Sequence, residues 1–291
     1  MLPPDMQSAM LPCTMCREQK RAAEGNDGGI KYWWILPFLS FFFSLNNQSF
    51  WIDECCTALC AMQQGMEGCW KKICEIGGSD AQMAFYYYLL FLWHHLTGAE
   101  SEWMLRLFNI FWVFLSSWFF RKEPKALVIL LISPFFVYYS NELRPYMLQI
   151  AASCAVSMLF WQVSRGEPIK FHVFFGSLFF LCLTSLTGVV WALGFAAAFM
   201  VMAFRQFGER RFWRALLWWI FPFSGLGAYY LYTLFLGARA VSISSSWIVN
   251  ACASMYELSG LAGMGPSRLE LRMCMTPDAL WNMNGLGAGM I

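Results

Sequence analysis

The sequence predicts an all-α, polytopic membrane protein with about seven transmembrane helices and an external loop that carries juxtamembrane helices. Of its 291 residues, 58% are hydrophobic and only 13% are charged, whereas a typical soluble domain is about 25% charged. The apolar residues fall in long runs with almost no charge inside them, which is typical of helices that cross a bilayer. The net charge of +2 does not indicate a nucleic-acid surface, so membrane lipid and not nucleic acid is the expected partner.

Clusters of basic residues predict which side of the membrane each loop occupies. They lie in the N-terminal tail and at 121–125, 165–170 and 205–214, and the positive-inside rule places all of them on the cytoplasmic face. The chain between two such clusters must cross the membrane an even number of times. The apolar stretch 171–204 is therefore predicted to form a hairpin that turns near Ser185 to Gly188.

The same parity argument identifies one apolar run that does not span. Of the three runs between the tail and Arg121, the shortest is Met83 to Leu96. Its aromatic residues, among them Tyr86 and Tyr87, suit a helix that lies at the depth of the lipid headgroups. The predicted spans are then 30–46, 103–120, 126–140, 146–163, 171–186, 189–204 and 215–236.

These spans divide the chain into three parts. Residues 1–29 are predicted to be a disordered cytoplasmic tail, because they are polar and lack the apolar core of a signal peptide. Residues 30–236 form the transmembrane domain, with 46–102 as its first external loop, and 237–291 form an external C-terminal segment. This topology brings the first loop, the short loop 141–145 and the C-terminal segment to one face, where any external site must be built.

Two features on that face contain residues that can act as a base or bind phosphate. Asp53 and Glu54 directly follow the first span, where partial desolvation raises the basicity of a carboxylate. The stretch YYSNELRPYML contains Glu142, Arg144 and Tyr146, and an arginine fork in so short a loop can bind phosphate. The competing interpretation of the acidic pair is a solvated start of a loop, since two adjacent carboxylates have no intrinsic specificity.

The order of these motifs resembles the GT-C superfamily of membrane glycosyltransferases. WIDE at 51–54 is followed by the aromatic stretch, by GAESEWMLRLFN at 98–109 and by SPFFVYYSNELRPYML at 133–148. This order is similar to that of dolichyl-phosphate-mannose protein mannosyltransferases and of bacterial lipopolysaccharide sugar and aminoarabinose transferases. The resemblance covers residues 30–165, with a weaker match at 255–272.

The resemblance implies an inverting transferase that moves a sugar from a polyprenyl-phosphate donor to an external glycolipid, glycan or protein acceptor of the cell envelope. It implies that Asp53 is catalytic with Glu54 beside it. It also implies that Arg144, Glu142 and Tyr146 bind the donor phosphate or the substrate. The bacterial relatives imply a multi-pass inner-membrane protein whose site lies on the periplasmic or extracellular side. The motifs do not indicate a definite cofactor, and the use of a divalent cation is an open alternative.

Departures from the family pattern keep a second functional class open. The aromatic stretch begins with Gln82, Met83 and Ala84, where many relatives have a proline-containing start. Relatives also carry more helices after this region, which favours a truncated or incomplete product that ends at Ile291. The alternative function is a noncatalytic polytopic membrane protein or transporter with the same architecture. A transporter would need ionisable residues within its spans, and the predicted spans contain almost none.

Structural roles are predicted for the cysteines and for two polar residues of the second span. Five cysteines between 55 and 74 crowd the first external loop, and their pairing cannot be deduced from spacing. Cys13 and Cys16 form a CxxC motif with neither a second pair nor histidines nearby, so no metal site is predicted there. Arg106 and Asn109, near the outer end of the span, are predicted either to extend toward the membrane surface or to bond other helices.

Overall fold

The fold is all-α, as the sequence predicts. Every described segment is helical or connects helices, and no strand occurs among these residues. The predicted tail 1–29, the CxxC motif and the segment 237–291 lie outside the described part of the chain. The computed structural model describes residues 34–45, 52–78, 80–165, 167, 169–202 and 210–236.

The described helices follow the predicted segments closely. The helices are α1 (Ile35–Ser44), α2 (Ile52–Ala61), α3 (Gly65–Ile76), α4 (Ala84–Thr97), α5 (Glu102–Arg106), α6 (Ile110–Phe119), α7 (Pro124–Ile132), α8 (Pro134–Ser140), α9 (Tyr146–Ser164), α10 (Phe171–Thr184), α11 (Leu186–Met202) and α12 (Arg210–Phe235). A 3-10 turn at Ala81–Met83 precedes α4, and another at Leu107–Asn109 joins α5 to α6. The first external loop of the sequence prediction contains α2, α3 and α4.

One predicted span is broken into two helices. The prediction of a continuous helix over 126–140 is wrong, because Ser133 separates α7 from α8 with an extended ψ of 126°. A proline disfavours the helical conformation of the residue before it, and Pro134 follows Ser133 directly. Pro134 is itself well placed at the start of α8, where its missing N–H has no helical partner to lose.

The predicted hairpin is formed by α10 and α11. Ser185, fully extended with φ −178° and ψ 171°, is the single residue between them. The Phe174 and Phe199 rings stack with their centroids 4.0 Å apart, so the two helices lie side by side in opposite directions. A glycine is required at position 188, because a Cβ there would collide with the Leu181 carbonyl oxygen.

The loops rich in basic residues lie together at one end of the bundle. Arg165 Nη2 is 2.7 Å from Glu123 Oε1, which joins the loop after α9 to the loop after α6. The Phe171 and Phe212 rings are 5.4 Å apart and bring the basic start of α12 to the start of α10. The structure thus groups the basic clusters of its described residues at one end of the bundle.

The opposite end of the bundle carries α2, α3 and α4. Ser44 Oγ at the end of α1 lies 3.0 Å from Ser140 Oγ at the end of α8. The hydroxyl of Tyr229, near the end of α12, donates a hydrogen bond to the Ala81 carbonyl. The Leu143 N–H donates to Glu54 of α2, and Arg144 donates to Tyr87 of α4, so the 52–97 helices lie against the short loop that follows α8 and position the candidate site.

Large apolar side chains are exposed on the outside of the bundle. Phe43 on α1 is 87% exposed, and Phe221 on α12 is 86% exposed; extensive apolar surface of this kind marks contact with a partner or a membrane. Within the described ranges one helix, Tyr146–Ser164, is long and apolar enough to cross a membrane. Ile35–Ser44, Phe171–Thr184 and Leu186–Val201 are shorter apolar helices.

The cysteines of α2 and α3 provide a chemical test of how these helices pack. All five between residues 55 and 74 are in the thiol form. Cys55 is exposed, whereas Cys60 and Cys69 are completely buried. Burial raises the pKa of Cys60 to about 12 and that of Cys69 to about 11.

We therefore expect iodoacetamide at pH 8 to modify Cys55 in the native protein and to spare Cys60 and Cys69. A thiol with a pKa of 12 is only about 10⁻⁴ thiolate at pH 8, and burial also excludes the reagent. Mass mapping of peptides before and after unfolding measures the three sites. Equal modification rates of Cys55 and Cys60 in the native protein would contradict this packing.

Candidate active site

Glu54 connects three elements at the end of the bundle opposite the basic loops. It lies in the first turn of α2, and its side chain is 3% exposed. Arg106 Nη2 donates to Glu54 Oε2 at 2.9 Å and Arg106 Nε to Oε1 at 3.3 Å. The backbone N–H of Leu143 donates to Oε1 at 2.7 Å. Because both oxygens are engaged, Glu54 holds α5 and the loop 141–145 against α2.

Arg144 lies in the same loop and is the centre of a second polar cluster. The residue is 3% exposed. Its Nη1 donates to Asp80 Oδ1 at 2.8 Å and to the Tyr87 hydroxyl at 2.9 Å. It also contacts Thr57 Oγ1 at 3.4 Å, and Tyr87 donates to the same oxygen of Asp80. Arg144 Nε is buried and has no hydrogen-bond partner among the described residues.

Asp53 lies beside this second cluster on α2 and is partly exposed. Its backbone carbonyl accepts a hydrogen bond from the Thr57 hydroxyl at 2.9 Å. Burial by itself lowers the pKa of the Arg144 guanidinium, but nearby acidic groups outweigh burial and hold that pKa well above its usual value. Arg144 is therefore charged, and Asp53 acts on it electrostatically. The acidic groups near Arg144 include the carboxylates of Asp80 and Asp53.

Asn109 fixes the start of the loop that carries Arg144. Its Nδ2 donates to the Ser140 carbonyl at 3.1 Å and to the Glu142 carbonyl at 2.7 Å. Its Oδ1 accepts from the hydroxyl of Tyr86 at 3.1 Å. Asn109 thus contacts another helix, as Arg106 does through Glu54, and the prediction of such contacts is confirmed for both residues.

The five residues predicted from sequence to form the site all lie at this end of the bundle. Asp53 and Arg144 interact electrostatically, and Tyr146 lies near Arg144. Glu54 is next to them but is held by Arg106. Glu142 is 5% exposed, and its carbonyl accepts a hydrogen bond from the backbone N–H of Arg144 at 2.8 Å. The chemical roles assigned to these residues remain predictions.

Asp80 is the functional candidate that the sequence reasoning missed. It lies 64 residues before Arg144 and belongs to no recognisable motif, so nothing in the spacing connects the two. The one feature of the sequence that could have identified Asp80 is its position, as an isolated carboxylate directly before the aromatic stretch. Its side chain is 16% exposed, so it faces the site and also pairs with Arg144.

The aromatic start of α4 lies in the protein interior. Tyr86 and Tyr87 are both completely buried, so these two rings contact other protein residues and not lipid headgroups; the depth of α4 in a membrane stays a prediction. Buried tyrosine hydroxyls require hydrogen-bond partners, and Asn109 and Asp80 supply them. Burial raises the pKa of both hydroxyls well above the ordinary value, so both act as neutral donors.

The acidic groups do not form a ready-made metal site. No cluster of three or more His, Cys, Asp or Glu side chains in the described part of the chain could hold a metal ion. Mg²⁺ is commonly bound by one or two carboxylates together with the phosphates of a substrate. A divalent cation at this site would therefore need the substrate to complete its coordination.

Comparison with family models, with curated proteins and with solved structures finds no match to this chain. The assignment of a function therefore depends on two arguments. One is the order of motifs in the sequence. The other is the geometry of the cluster around Arg144, which combines a partly exposed carboxylate with a buried, permanently charged guanidinium.

Proposed function

We propose that the chain is an inverting, GT-C-like membrane glycosyltransferase that moves a sugar from a polyprenyl-phosphate donor to an external glycolipid, glycan or protein acceptor. The observation that carries the proposal is the buried Arg144, whose Nε has no partner among the described residues although its Nη1 is engaged. A buried donor without an acceptor is costly. A phosphate oxygen is the acceptor that a guanidinium binds most strongly.

The reaction proposed here needs a base and a cation. Asp53 takes the proton from the acceptor nucleophile as that nucleophile attacks the anomeric carbon of the sugar. The bond between this carbon and the phosphate oxygen breaks, and the phosphate leaves with the electron pair. Arg144 stabilises the negative charge that grows on the phosphate. Attack from the face opposite the phosphate inverts the anomeric centre.

The proposal includes a multi-pass topology with Arg144 on the non-cytosolic side. The crossing segments are α1, α5 with α6, α7 with α8, α9, α10, α11 and α12, and α2 to α4 are juxtamembrane helices outside. Two observations support it. The basic loops lie at the end opposite Arg144, as the positive-inside rule requires, and the outer surfaces of α1, α11 and α12 expose large apolar side chains. In a bacterium, this orientation places the site at the periplasmic face of the inner membrane.

The competing function is that of a noncatalytic polytopic protein or transporter. The pairs Glu54–Arg106 and Asp80–Arg144 favour it, because a purely structural role in holding the loop 141–145 in place would explain both pairs. Transport of an ion or a charged solute requires ionisable residues within the crossing helices. The sequences of α9 and α11 contain no Asp, Glu, Lys or Arg, which argues against the transporter.

Sugar transfer by the purified full-length chain in lipid nanodiscs tests the proposal. The substrates are radiolabelled polyprenyl phosphates that carry glucose, mannose or aminoarabinose, and the measurement is the rate at which the sugar leaves the donor. We expect Arg144→Gln to lower the rate by about 10²–10³-fold, as the loss of one charge-stabilising donor does in other enzymes. Arg165→Gln, at the opposite end of the bundle, should leave it unchanged.

Two outcomes of this assay would contradict the proposal. Equal rates for Arg144→Gln and the wild-type chain would remove Arg144 from the reaction. The absence of transfer from every donor, with a folded wild-type protein of normal melting temperature, would favour the noncatalytic alternative.

A further inference from the structure

The Arg144 guanidinium has a carboxylate on one arm and no acceptor on another. Its Nη1 donates to Asp80 Oδ1 at 2.8 Å. Its Nε is buried and has no hydrogen-bond partner among the described residues. The Arg144 side chain is 3% exposed, whereas that of Asp80 is 16% exposed. A phosphate that binds the Nε arm therefore lies within the width of one guanidinium of the Asp80 carboxylate.

Asp80 is held in place from both its side chain and its backbone. Tyr87, which is completely buried, donates a hydrogen bond to Asp80 Oδ1. The Asp80 carbonyl accepts from the backbone N–H of Met83 at 3.0 Å. The next residue, Ala81, is completely buried, and its carbonyl accepts from the hydroxyl of Tyr229 on α12. The carboxylate therefore stays beside the guanidinium when a ligand binds.

The phosphate changes its charge in the proposed reaction. The phosphate of the donor is a diester and carries one negative charge. When its bond to the anomeric carbon breaks, the electron pair stays on the phosphate oxygen, and the proton of the acceptor goes to Asp53. The product is a phosphate monoester, and such a group has a second pKa of about 6 and about two negative charges at pH 8.

Asp80 repels the product more strongly than it repels the donor. The energy of interaction between two charges is proportional to each of them. A fixed carboxylate therefore opposes the binding of a dianion about twice as much, in free energy, as the binding of a monoanion. Arg144 alone would have the opposite effect and would hold the product more tightly than the donor.

We propose that Asp80 makes the site select a singly charged phosphodiester over a doubly charged phosphate monoester, and so speeds release of the polyprenyl phosphate product. The inference rests on the proposed function. Asp80 acts through its charge and its position, and it transfers no proton. The same carboxylate also disfavours the charge that grows as the bond breaks, so its benefit lies in turnover and not in the chemical step.

Two ligands that differ by one methyl group and one charge test this inference. They are farnesyl phosphate, a monoester, and methyl farnesyl phosphate, a diester with the same chain. Each is titrated calorimetrically into the full-length chain in neutral detergent at pH 8. We expect Asp80→Asn to lower the Kd of the diester about fivefold and that of the monoester about 25-fold, because the effect scales with the charge of the ligand. Asparagine keeps an oxygen that accepts from Arg144 and Tyr87.

Glu75→Gln is the matched control, because Glu75 is a carboxylate on the surface of α3, where it pairs with Lys72. This variant should leave both Kd values unchanged. An equal effect of Asp80→Asn on the two ligands would overturn the inference. Weaker binding of both ligands would overturn it as well, because it would show that Asp80 serves only to hold Arg144 or a cation in place for the phosphate.

The wild-type chain provides a second test that does not depend on the folding of a variant. Asp80 and Asp53 both act on the single guanidinium of Arg144, so the charges around the phosphate are not balanced in favour of a dianion. The diester should therefore bind more tightly than the monoester. Tighter binding of the monoester to the wild-type chain would contradict the proposed role of Asp80.

The sugar-transfer assay separates failure of this inference from failure of the proposed function. Transfer by the wild-type chain, with equal effects of Asp80→Asn on the two ligands, would keep the transferase and reject the role of Asp80. Unequal effects of the expected size without transfer from any donor would keep the selection by charge and reject the transferase. No binding of either ligand to the folded wild-type chain would reject both.

Discussion

Replacement of Asp53 by asparagine is expected to lower the rate of sugar transfer by about 10²–10⁴-fold, the range that a positioned general base contributes. Asparagine has the same shape but cannot take the proton from the acceptor. The fold should be retained, because Asp53 is partly exposed and its structural hydrogen bond to Thr57 uses the backbone carbonyl. Initial rates in nanodiscs, with melting temperature as a check on folding, measure the effect.

Glu67→Gln is the matched control for this variant. Glu67 is a carboxylate on α3 that pairs with Lys71 at 2.8 Å on the protein surface, with 82% of its side chain exposed. Its replacement should leave the rate of transfer within twofold of wild type. An Asp53→Asn rate that is equally close to wild type would show that Asp53 is not the base.

The second large effect is expected from Glu54→Ala, which should lower the free energy of unfolding by about 3–5 kcal/mol. The variant removes the carboxylate partner of the buried Arg106 guanidinium, which is 4% exposed, and removal of one partner from a buried ion pair is strongly destabilising. It also removes the acceptor of the Leu143 N–H, so the loop 141–145 loses its attachment to α2. Denaturation of the purified protein in detergent measures the change.

Two further variants distinguish the buried pair from surface pairs. Glu75→Ala breaks an exposed pair with Lys72 and should cost less than about 1 kcal/mol. Glu54→Ala combined with Arg106→Met should recover part of the lost stability, because no unpaired charge is left in the interior. A loss for Glu54→Ala as small as that for Glu75→Ala would show that the Glu54–Arg106 pair does not hold the site together.

The helices were predictable because apolar runs and basic clusters are local signals. The hairpin between α10 and α11 follows from the length of one run between Lys170 and Arg205, and the structure confirms it. The break at Ser133 is also a local signal, since Pro134 is visible in the sequence. The apolar pattern nevertheless continues across the proline without interruption, and this pattern alone predicts a single span.

The contacts inside the site were only partly predictable. Adjacent residues on a helix point about 100° apart, so Asp53 and Glu54 cannot both face the same partner. Glu54 faces Arg106 and Asp53 faces the cluster around Arg144, a division that depends on how α2 is rotated against its neighbours. The Asp80–Arg144 pair joins a turn and a loop that are distant in sequence, and no periodic pattern predicts such a contact.

The account depends most directly on the candidate site lying outside the cytosolic face, and cysteine labelling in spheroplasts tests this. Cys55 is exposed on α2, two residues from Asp53, and Lys122→Cys places a reporter in the exposed loop after α6. After treatment with a membrane-impermeant maleimide, labelled peptides are identified by mass mapping. The account predicts that Cys55 is labelled in intact spheroplasts and that the reporter at position 122 is labelled only after permeabilisation. The opposite pattern, with Cys55 protected and position 122 labelled, would place Asp53 and Arg144 in the cytosol and contradict the account.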